Sequence, residues 1–233
     1  MKTYADQTTQ NKSWLKRFSH GSRFKVALDL LNPAPEDQIL DYGTGDGYML
    51  SMIRLTDDNC RIVGYEPVPY MFKELNDKLG SSKNESVELI HNLNGYTGNF
   101  NKICCLEVLE HLTKENQTKE ITNMMNLLTE DGKLIISVPV EIGFSSLLKN
   151  IARIVLGQAH GNTNLRTIIY SVFGIHFDRG NRPYIFSHMG FYYQDLENLI
   201  VSLGLTIHSK KFSPISMLGR AINSQVFFVL RKS

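Results

Sequence analysis

The chain has 233 residues, of which 42% are hydrophobic and 21% charged, and its net charge is +2 at neutral pH. This length suits one domain with a substantial core, and so small a net charge argues against nucleic acid or a membrane surface as an obligatory partner. The three cysteines have neither disulfide nor metal-ligand spacing, which indicates a reducing cytoplasm. Residues 1–11 lack the apolar core of a signal peptide, and no apolar stretch reaches the roughly 20 residues that span a bilayer.

Residues 12–31 predict two short helices separated at Gly21. The second has the amphipathic spacing i, i+3, i+4 and i+7 in Phe24, Ala27, Leu28 and Leu31. Two prolines, at positions 33 and 35, then end it. We interpret residues 1–35 as an N-terminal helical lid. Its basic face could meet an anionic substrate or a membrane surface, although a simply solvated outer face is the favoured interpretation.

The most informative stretch is residues 39–47, Ile-Leu-Asp-Tyr-Gly-Thr-Gly-Asp-Gly. An apolar run ends at Asp41, three glycines alternate at Gly43, Gly45 and Gly47, and a helical pattern follows. This order predicts a buried parallel strand, a tight turn and the start of a helix. Glycine is needed where the backbone takes a positive φ or approaches a ligand closely, and the first N–H groups of a helix favour an anion. We therefore predict a nucleotide-type ligand at this turn.

A second predicted strand, residues 61–66, ends in Glu66, nineteen positions after Gly47. A carboxylate there can accept hydrogen bonds from both hydroxyls of a ribose. The dinucleotide fingerprint places its third glycine one position later, and this spacing, with no paired Tyr-x-x-x-Lys, disfavours an NAD-dependent oxidoreductase. At these residues the chain resembles class I S-adenosylmethionine-dependent methyltransferases, in which an acid precedes G-x-G-x-G and a second acid ends the next strand.

Apolar strands and helical patterns alternate along the rest of the chain. Further strands are predicted at 87–90, 102–106, 133–138, 205–208 and 226–230, and helices at 48–55, 70–80, 114–128 and 196–203. Such an alternation predicts an α/β fold with a parallel sheet covered on both faces. The resemblance implies a doubly wound, Rossmann-like sheet of seven strands, mostly parallel, with an antiparallel last strand between the fifth and sixth. Residues 36–233 would form the methyltransferase domain, with a helical substrate-cap insertion at about 140–187 after strand 5.

The resemblance assigns the methionine end of the cofactor to five residues. Gly43, Gly45 and Gly47 match the loop that admits this part of S-adenosylmethionine. Asp41 matches the acid that holds its amino group, directly or through water. Glu107 would lie near the methionyl end and the transferring methyl group.

The resemblance assigns the adenosine end to the turns after the second and third strands. Glu66 matches the ribose acid, and Pro67 stands where an apolar side chain lies against the adenine. Asn92 occupies a position where the family commonly has Asp, which accepts from the adenine amino group, but it could also be a simple turn residue. Leu93 would cover the other face of the adenine.

The segment Glu107–Leu112 resembles the E-V-L-E-H segment that follows strand 4 in many small-molecule methyltransferases. With His188, the side chains of Glu107, Glu110 and His111 could ligate a divalent ion, as in some ubiquinone-pathway O-methyltransferases and small-RNA 2′-O-methyltransferases. The simpler interpretation is that Glu110 and His111 hydrogen-bond the helix start and a neighbouring loop, and we assign no metal. His111 and His188 are the candidate general bases, because histidine titrates near neutral pH, although each could be structural.

We therefore expect an S-adenosylmethionine-dependent methyltransferase that acts on an O, N or C nucleophile of a small-molecule, lipid-linked or glycan-linked acceptor, with S-adenosylhomocysteine as product. The partly apolar insertion suggests this acceptor class. Two alternatives stay open. One is a metal-assisted RNA-end 2′-O-methyltransferase, which would need a basic groove, and the other is a non-catalytic scaffold that binds S-adenosylmethionine. Peripheral membrane contact through the basic N-terminal helix and the oligomeric state also stay open.

Overall fold

The computed structural model describes residues 14–57, 59–80, 87–96, 100–140, 191–214 and 223–232, with side chains from residue 21 onward. The helices are α1 (Trp14–Leu31), α2 (Tyr48–Thr56), α3 (Pro69–Leu79), α4 (Lys114–Leu127) and α5 (Tyr193–Ser202). The strands are β1 (Gln38–Tyr42), β2 (Arg61–Tyr65), β3 (Val87–Ile90), β4 (Phe100–Leu106), β5 (Leu128–Pro139), β6 (Thr206–Ser213) and β7 (Gln225–Arg231). A short 3-10 turn, Leu109–His111, follows β4.

The seven strands form one sheet in the order β3-β2-β1-β4-β5-β7-β6. Neighbouring strands from β3 to β5 are parallel, whereas β7 runs antiparallel to both β5 and β6. This confirms the predicted doubly wound, Rossmann-like α/β fold with seven strands. The chain order reverses between β1 and β4, and in sheets of this kind a ligand binds beyond the carboxyl ends of the strands at that reversal.

Helices cover both faces of the sheet and form two core layers. On one face, α1 and α2 bury Phe24, Ala27, Leu31, Met49 and Ile53 against the strands. On the other face, α4 and α5 bury Ile121, Met124, Leu196 and Ile200. The central strands are nearly continuously apolar because helices shield both of their faces from water.

The helix α1 is continuous, which corrects the prediction of two short helices separated at Gly21. Gly21 is exposed, and a Cβ at this position would meet no heavy atom within 4 Å. Glycine inside a helix costs only about 1 kcal/mol relative to alanine, and burial of Phe24, Ala27 and Leu31 outweighs that cost. The helix ends at Leu31, as predicted from the prolines that follow.

Several strands are longer than the sequence predicted, most of all β5 and β6. β5 begins at Leu128, and the register with β4 shifts between Phe100 and Lys102, so Asp131-Gly132 lies in an irregular part of the ladder rather than in a separate turn before the strand. β6 continues to Ser213. The predicted insertion at about 140–187 lies outside the described residues. None of the helices described has the length and apolar character required to cross a membrane.

Candidate active site

Three left-handed residues shape the glycine-rich turn between β1 and α2. Gly43, Gly45 and Gly47 have φ angles of 79°, 58° and 76°, a region that side chains disfavour. The backbone N–H groups of Gly43 and Thr44 donate to the carbonyl oxygen of Tyr65 at 2.8 and 3.0 Å. These two bonds fix the turn to the end of β2.

The space around the three glycines differs. A Cβ on Gly43 would lie 2.5 Å from Cγ2 of Val108, and one on Gly47 would lie 2.4 Å from Cδ1 of Leu79. No heavy atom lies within 4 Å of the corresponding position on Gly45. Gly43 and Gly47 therefore let the turn pack closely on the protein, whereas Gly45 faces an open space in which a ligand can approach the backbone.

Glu66 directly follows β2 and faces the glycine-rich turn. Its side chain is buried, and its two carboxylate oxygens accept hydrogen bonds from the backbone N–H groups of Gly45 and Val68, each at 3.0 Å. Burial raises the pKa of this carboxyl, while the two hydrogen bonds lower it. A carboxylate offers about four lone-pair positions, so Glu66 keeps acceptor capacity for the ribose hydroxyls that the resemblance assigns to it.

Asp41 lies beneath the same turn and is only 2% exposed. Its Oδ2 accepts a hydrogen bond from Thr44 Oγ1 at 2.5 Å, and its Oδ1 accepts one from Cys104 Sγ at 3.4 Å. Burial raises the pKa of Asp41 to about 6, although both hydrogen bonds lower it. Neither Thr44 nor Cys104 was expected at the site. Thr44 is only three residues from Asp41, inside a tight turn, so the sequence already placed its hydroxyl within reach of the acid.

Glu107 follows β4 and has a φ of 57°, a left-handed conformation that is uncommon outside glycine. Its Oε1 accepts a hydrogen bond from Ser137 Oγ on β5 at 3.0 Å, and its Oε2 lies 3.7 Å from Nη1 of Arg23 on α1. Strained backbone of this kind concentrates at functional sites. Three elements, α1, β4 and β5, therefore meet at the Glu107 carboxylate.

Arg23 is a buried cation that was not expected at the site. The residue is 4% exposed, and its guanidinium carbon lies 4.5 Å from the centroid of the Phe24 ring. The sequence does indicate that Arg23 lies on the apolar face of the helix, because Arg23, Ala27 and Leu31 follow one another at intervals of four residues. A charge on the apolar face of a helix is an exception that calls for a partner.

The predicted adenine contacts lie at the ends of β2 and β3. Pro67 is exposed beside Glu66, and Leu93 is half-buried against the core layer of α4 and α5. Asn92 is exposed, and its Oδ1 accepts a hydrogen bond from the backbone N–H of Asn94 at 3.2 Å. Asn92 thus stabilises a turn, and its contact with adenine stays a prediction.

The candidate bases and metal ligands are only partly within the described residues. His111 ends the 3-10 turn after β4, and its Nε2 lies 3.8 Å from Oε1 of the buried Glu110. Over the ranges that the structure describes, no three His, Cys, Asp or Glu side chains are grouped so as to hold a metal ion. His188, the second candidate base and the proposed fourth ligand, lies outside those ranges.

Solved structures with the same fold include the PH0226 protein of Pyrococcus horikoshii, with a TM-score of 0.66 at 14% identity over 99% of this chain and 96% of that one. Magnesium protoporphyrin IX methyltransferase from Synechocystis, solved with bound S-adenosylhomocysteine, has a TM-score of 0.58 at 14% identity, over 96% of this chain and 89% of that one. An S-adenosylmethionine-dependent methyltransferase from Aquifex aeolicus has a TM-score of 0.59 at 10% identity, over 90% of this chain and 89% of that one. At these identities the similarity establishes the fold.

Sequence comparison identifies the family. Curated protein sequences gave no significant match. The model of a methyltransferase domain family, in contrast, matches residues 8–167, which is well over half of the chain. Together with the strand order and the acid-flanked glycine turn, this match confirms the predicted resemblance, and the protein belongs to the methyltransferase domain family.

Proposed function

We propose that the protein transfers a methyl group from S-adenosylmethionine to an O, N or C nucleophile of a small-molecule, lipid-linked or glycan-linked acceptor. The observation that carries the cofactor assignment is the contact between Glu66 Oε2 and the backbone N–H of Gly45, at 3.0 Å. This contact holds the Glu66 carboxylate, the proposed acceptor for ribose hydroxyls, beside the one glycine of the three whose Cβ position has no heavy atom within 4 Å. The residues present therefore fit a nucleoside with an extended tail.

The proposed roles follow the carboxyl ends of the strands. Glu66, with Pro67, Asn92 and Leu93, would hold the adenosine, while the glycine turn, Asp41 and Glu107 would hold the methionine end. When bound, the cofactor supplies a methyl group activated by a sulfonium. The protein contributes alignment of the acceptor with that methyl group and, for a hydroxyl or ammonium nucleophile, removal of a proton.

His111 is the proposed general base, and His188 is the second candidate. His111 Nε2 lies 3.8 Å from Oε1 of the fully buried Glu110, on the segment that also carries Glu107. Histidine is the side chain whose ordinary pKa best suits proton exchange near neutral pH.

The predicted lid, residues 1–35, and the predicted cap at about 140–187 are proposed to shape the acceptor site. A segment that follows the fifth strand of such a sheet leaves it at the carboxyl edge, where ligands bind. The apolar residues of the cap sequence support an acceptor with apolar parts. No observation in the described part of the chain favours the metal-assisted RNA-end reaction, so we propose no second function.

Calorimetry with S-adenosylhomocysteine tests the cofactor assignment. We expect binding in the micromolar range or tighter, and we expect Glu66→Ala to weaken it by roughly 10-fold or more, because charge-assisted hydrogen bonds to the ribose are lost. Glu74→Ala, on the exposed side of α3, is the matched control and should bind as the wild type does. Tight binding of NADH in place of S-adenosylhomocysteine would contradict the proposal. A screen of cell extract for transfer of labelled methyl groups would then identify the acceptor.

A further inference from the structure

Gln117 is a polar residue on the apolar face of α4. It precedes Ile121 and Met125 at intervals of four residues, and all three are buried. A polar side chain in such a position needs hydrogen-bond partners. Its Nε2 donates to the carbonyl oxygen of Leu109 at 2.8 Å and to that of Leu112 at 3.4 Å. Both partners belong to the segment between β4 and α4, so Gln117 connects the helix to that segment.

We propose that Gln117 is a positioning residue, which acts through residues 107–112 to hold the candidate base and the glycine turn in the geometry that methyl transfer needs. This inference rests on the proposed function. It assigns to α4 a role that the glycine and acid motifs of the sequence do not indicate. The role is indirect, because the amide of Gln117 is directed at backbone carbonyls.

The segment 107–112 has little regular structure of its own, since it contains only a short 3-10 turn. Hydrogen bonds within such a turn have poorer geometry than those of an α-helix, so bonds from outside contribute much of what fixes the segment. At its start, the backbone N–H of Glu107 donates to the carbonyl oxygen of Ser137 on β5 at 3.0 Å. Gln117 supplies the attachment at the other end.

Val108 links the segment to the glycine turn. A Cβ on Gly43 would lie 2.5 Å from Cγ2 of Val108, and in so closely packed a contact a displacement of one residue strains the other. The helix α4 also contacts the other side of this junction, because the hydroxyl of Tyr42, the residue before Gly43, donates to Glu120 Oε2. Gln117 and Glu120, three residues apart on α4, thus brace both sides of the same contact.

The same segment carries His111, the proposed general base. The two carbonyls that accept from Gln117 lie on either side of it, because Leu109 begins the 3-10 turn and Leu112 directly follows His111. A displacement of about 1 Å in a reacting group can reduce a rate by roughly 100-fold. Loss of the Gln117 amide should therefore affect the reaction as well as the stability of the fold.

Gln117→Met tests the proposal, because it keeps the length of the side chain and removes the donor. With variants that circular dichroism shows to be folded, we expect calorimetry to give an affinity for S-adenosylhomocysteine about 3- to 10-fold weaker than that of the wild type. At saturating S-adenosylmethionine, transfer of labelled methyl groups to cell extract should fall by about 10-fold or more. Thr118→Val is the matched control, since it removes a hydroxyl that bonds within α4, to the Lys114 carbonyl at 3.0 Å. It should change neither the affinity nor the rate.

The outcomes separate positioning from a purely structural hydrogen bond. Wild-type affinity and wild-type rate in a folded but less stable Gln117→Met would overturn the proposal. If Gln117→Met does not fold, Gln117→Glu decides the question, because its carboxyl donates to the Leu109 carbonyl only when protonated. Its affinity relative to the wild type should then rise as the pH is lowered from about 8 to about 5.5, and a constant deficit would overturn the proposal. A wild-type protein that does not bind S-adenosylhomocysteine would refute the proposed function itself, which is a different result.

Discussion

Asp41 shows how a single buried acid links the site to the pH dependence of folding. Its ordinary pKa of 3.8 is raised to about 6, chiefly by burial. Between these two values the folded protein keeps a proton on Asp41 that the unfolded chain releases. The free energy of unfolding that this group contributes therefore falls as the pH rises from about 4 to 6, by a total on the order of 3 kcal/mol.

We expect Asp41→Asn to remove much of this pH dependence, because the amide does not ionise while its oxygen can still accept from Thr44. Urea unfolding at pH 4 and at pH 7 would measure the difference in the free energy of unfolding for the variant and the wild type. Asp29→Asn, on the exposed side of α1, is the control and should keep the wild-type difference. Equal differences in all three proteins would show that Asp41 is not the group responsible.

Alanine substitutions at two glycines of the turn should have different effects on stability and on ligand binding. Gly47→Ala would place a Cβ against Leu79 and Leu75, so we expect a loss of about 2–4 kcal/mol of stability from overpacking and backbone strain. Gly45→Ala meets no protein atom, so we expect about 1–2 kcal/mol of strain together with weaker binding of S-adenosylhomocysteine. Urea unfolding and calorimetry on both variants separate the two effects. Wild-type affinity in Gly45→Ala would contradict the view that a ligand lies against this residue.

Among the elements, α1 is attached to the sheet by its C-terminal end as well as by its apolar face. Lys133 Nζ on β5 donates to the carbonyl oxygen of Leu30 at 2.7 Å, and Lys102 Nζ on β4 donates to that of Asn32 at 2.6 Å. Carbonyls at a helix C-terminus lack partners within the helix, and cations are favourable there. Partial burial lowers the pKa of Lys133. The strands thus complete the hydrogen bonding of the helix that carries Arg23.

We expect Lys133→Met to destabilise the protein by about 1–3 kcal/mol, since the aliphatic part of the side chain is kept but the Leu30 carbonyl loses its donor. Denaturant unfolding would measure the loss. Lys119→Met, on the exposed side of α4, serves as the control and should change stability by less than about 0.5 kcal/mol. A loss no larger than that of the control would mean that the Leu30 contact adds nothing to the docking of α1.

For the whole molecule, binding and folding are linked, because the site is assembled from turns after β1, β2 and β4 and from α1. The unfolded chain does not bring these segments together. At a free concentration of S-adenosylhomocysteine 100 times its dissociation constant, we expect the free energy of unfolding to rise by about 2.7 kcal/mol. The shift in the urea midpoint measures this rise. The same shift with NADH, or none with S-adenosylhomocysteine, would contradict the assignment of the cofactor.

The sequence by itself determined the sheet, its covered faces and the turn at Gly43, Gly45 and Gly47. These features depend on local patterns, because side-chain periodicity and the φ angles open to each residue act over a few positions. Local patterns were less reliable where packing overrides propensity. The exposed Gly21 did not interrupt α1, since burial along the helix outweighed its cost, and β5 began earlier than its apolar run because pairing with β4 extended it.

Only the tertiary structure decided which side chains meet at the site. Thr44 and Cys104 join Asp41, and Arg23 and Ser137 join Glu107, from segments that no periodicity connects. Contacts between such distant segments are fixed by the register of the strands and by the packing of α1 on the sheet. A sequence pattern can therefore place an acid at the end of a strand, but the charge and hydrogen-bond partners of that acid are set by the folded chain around it.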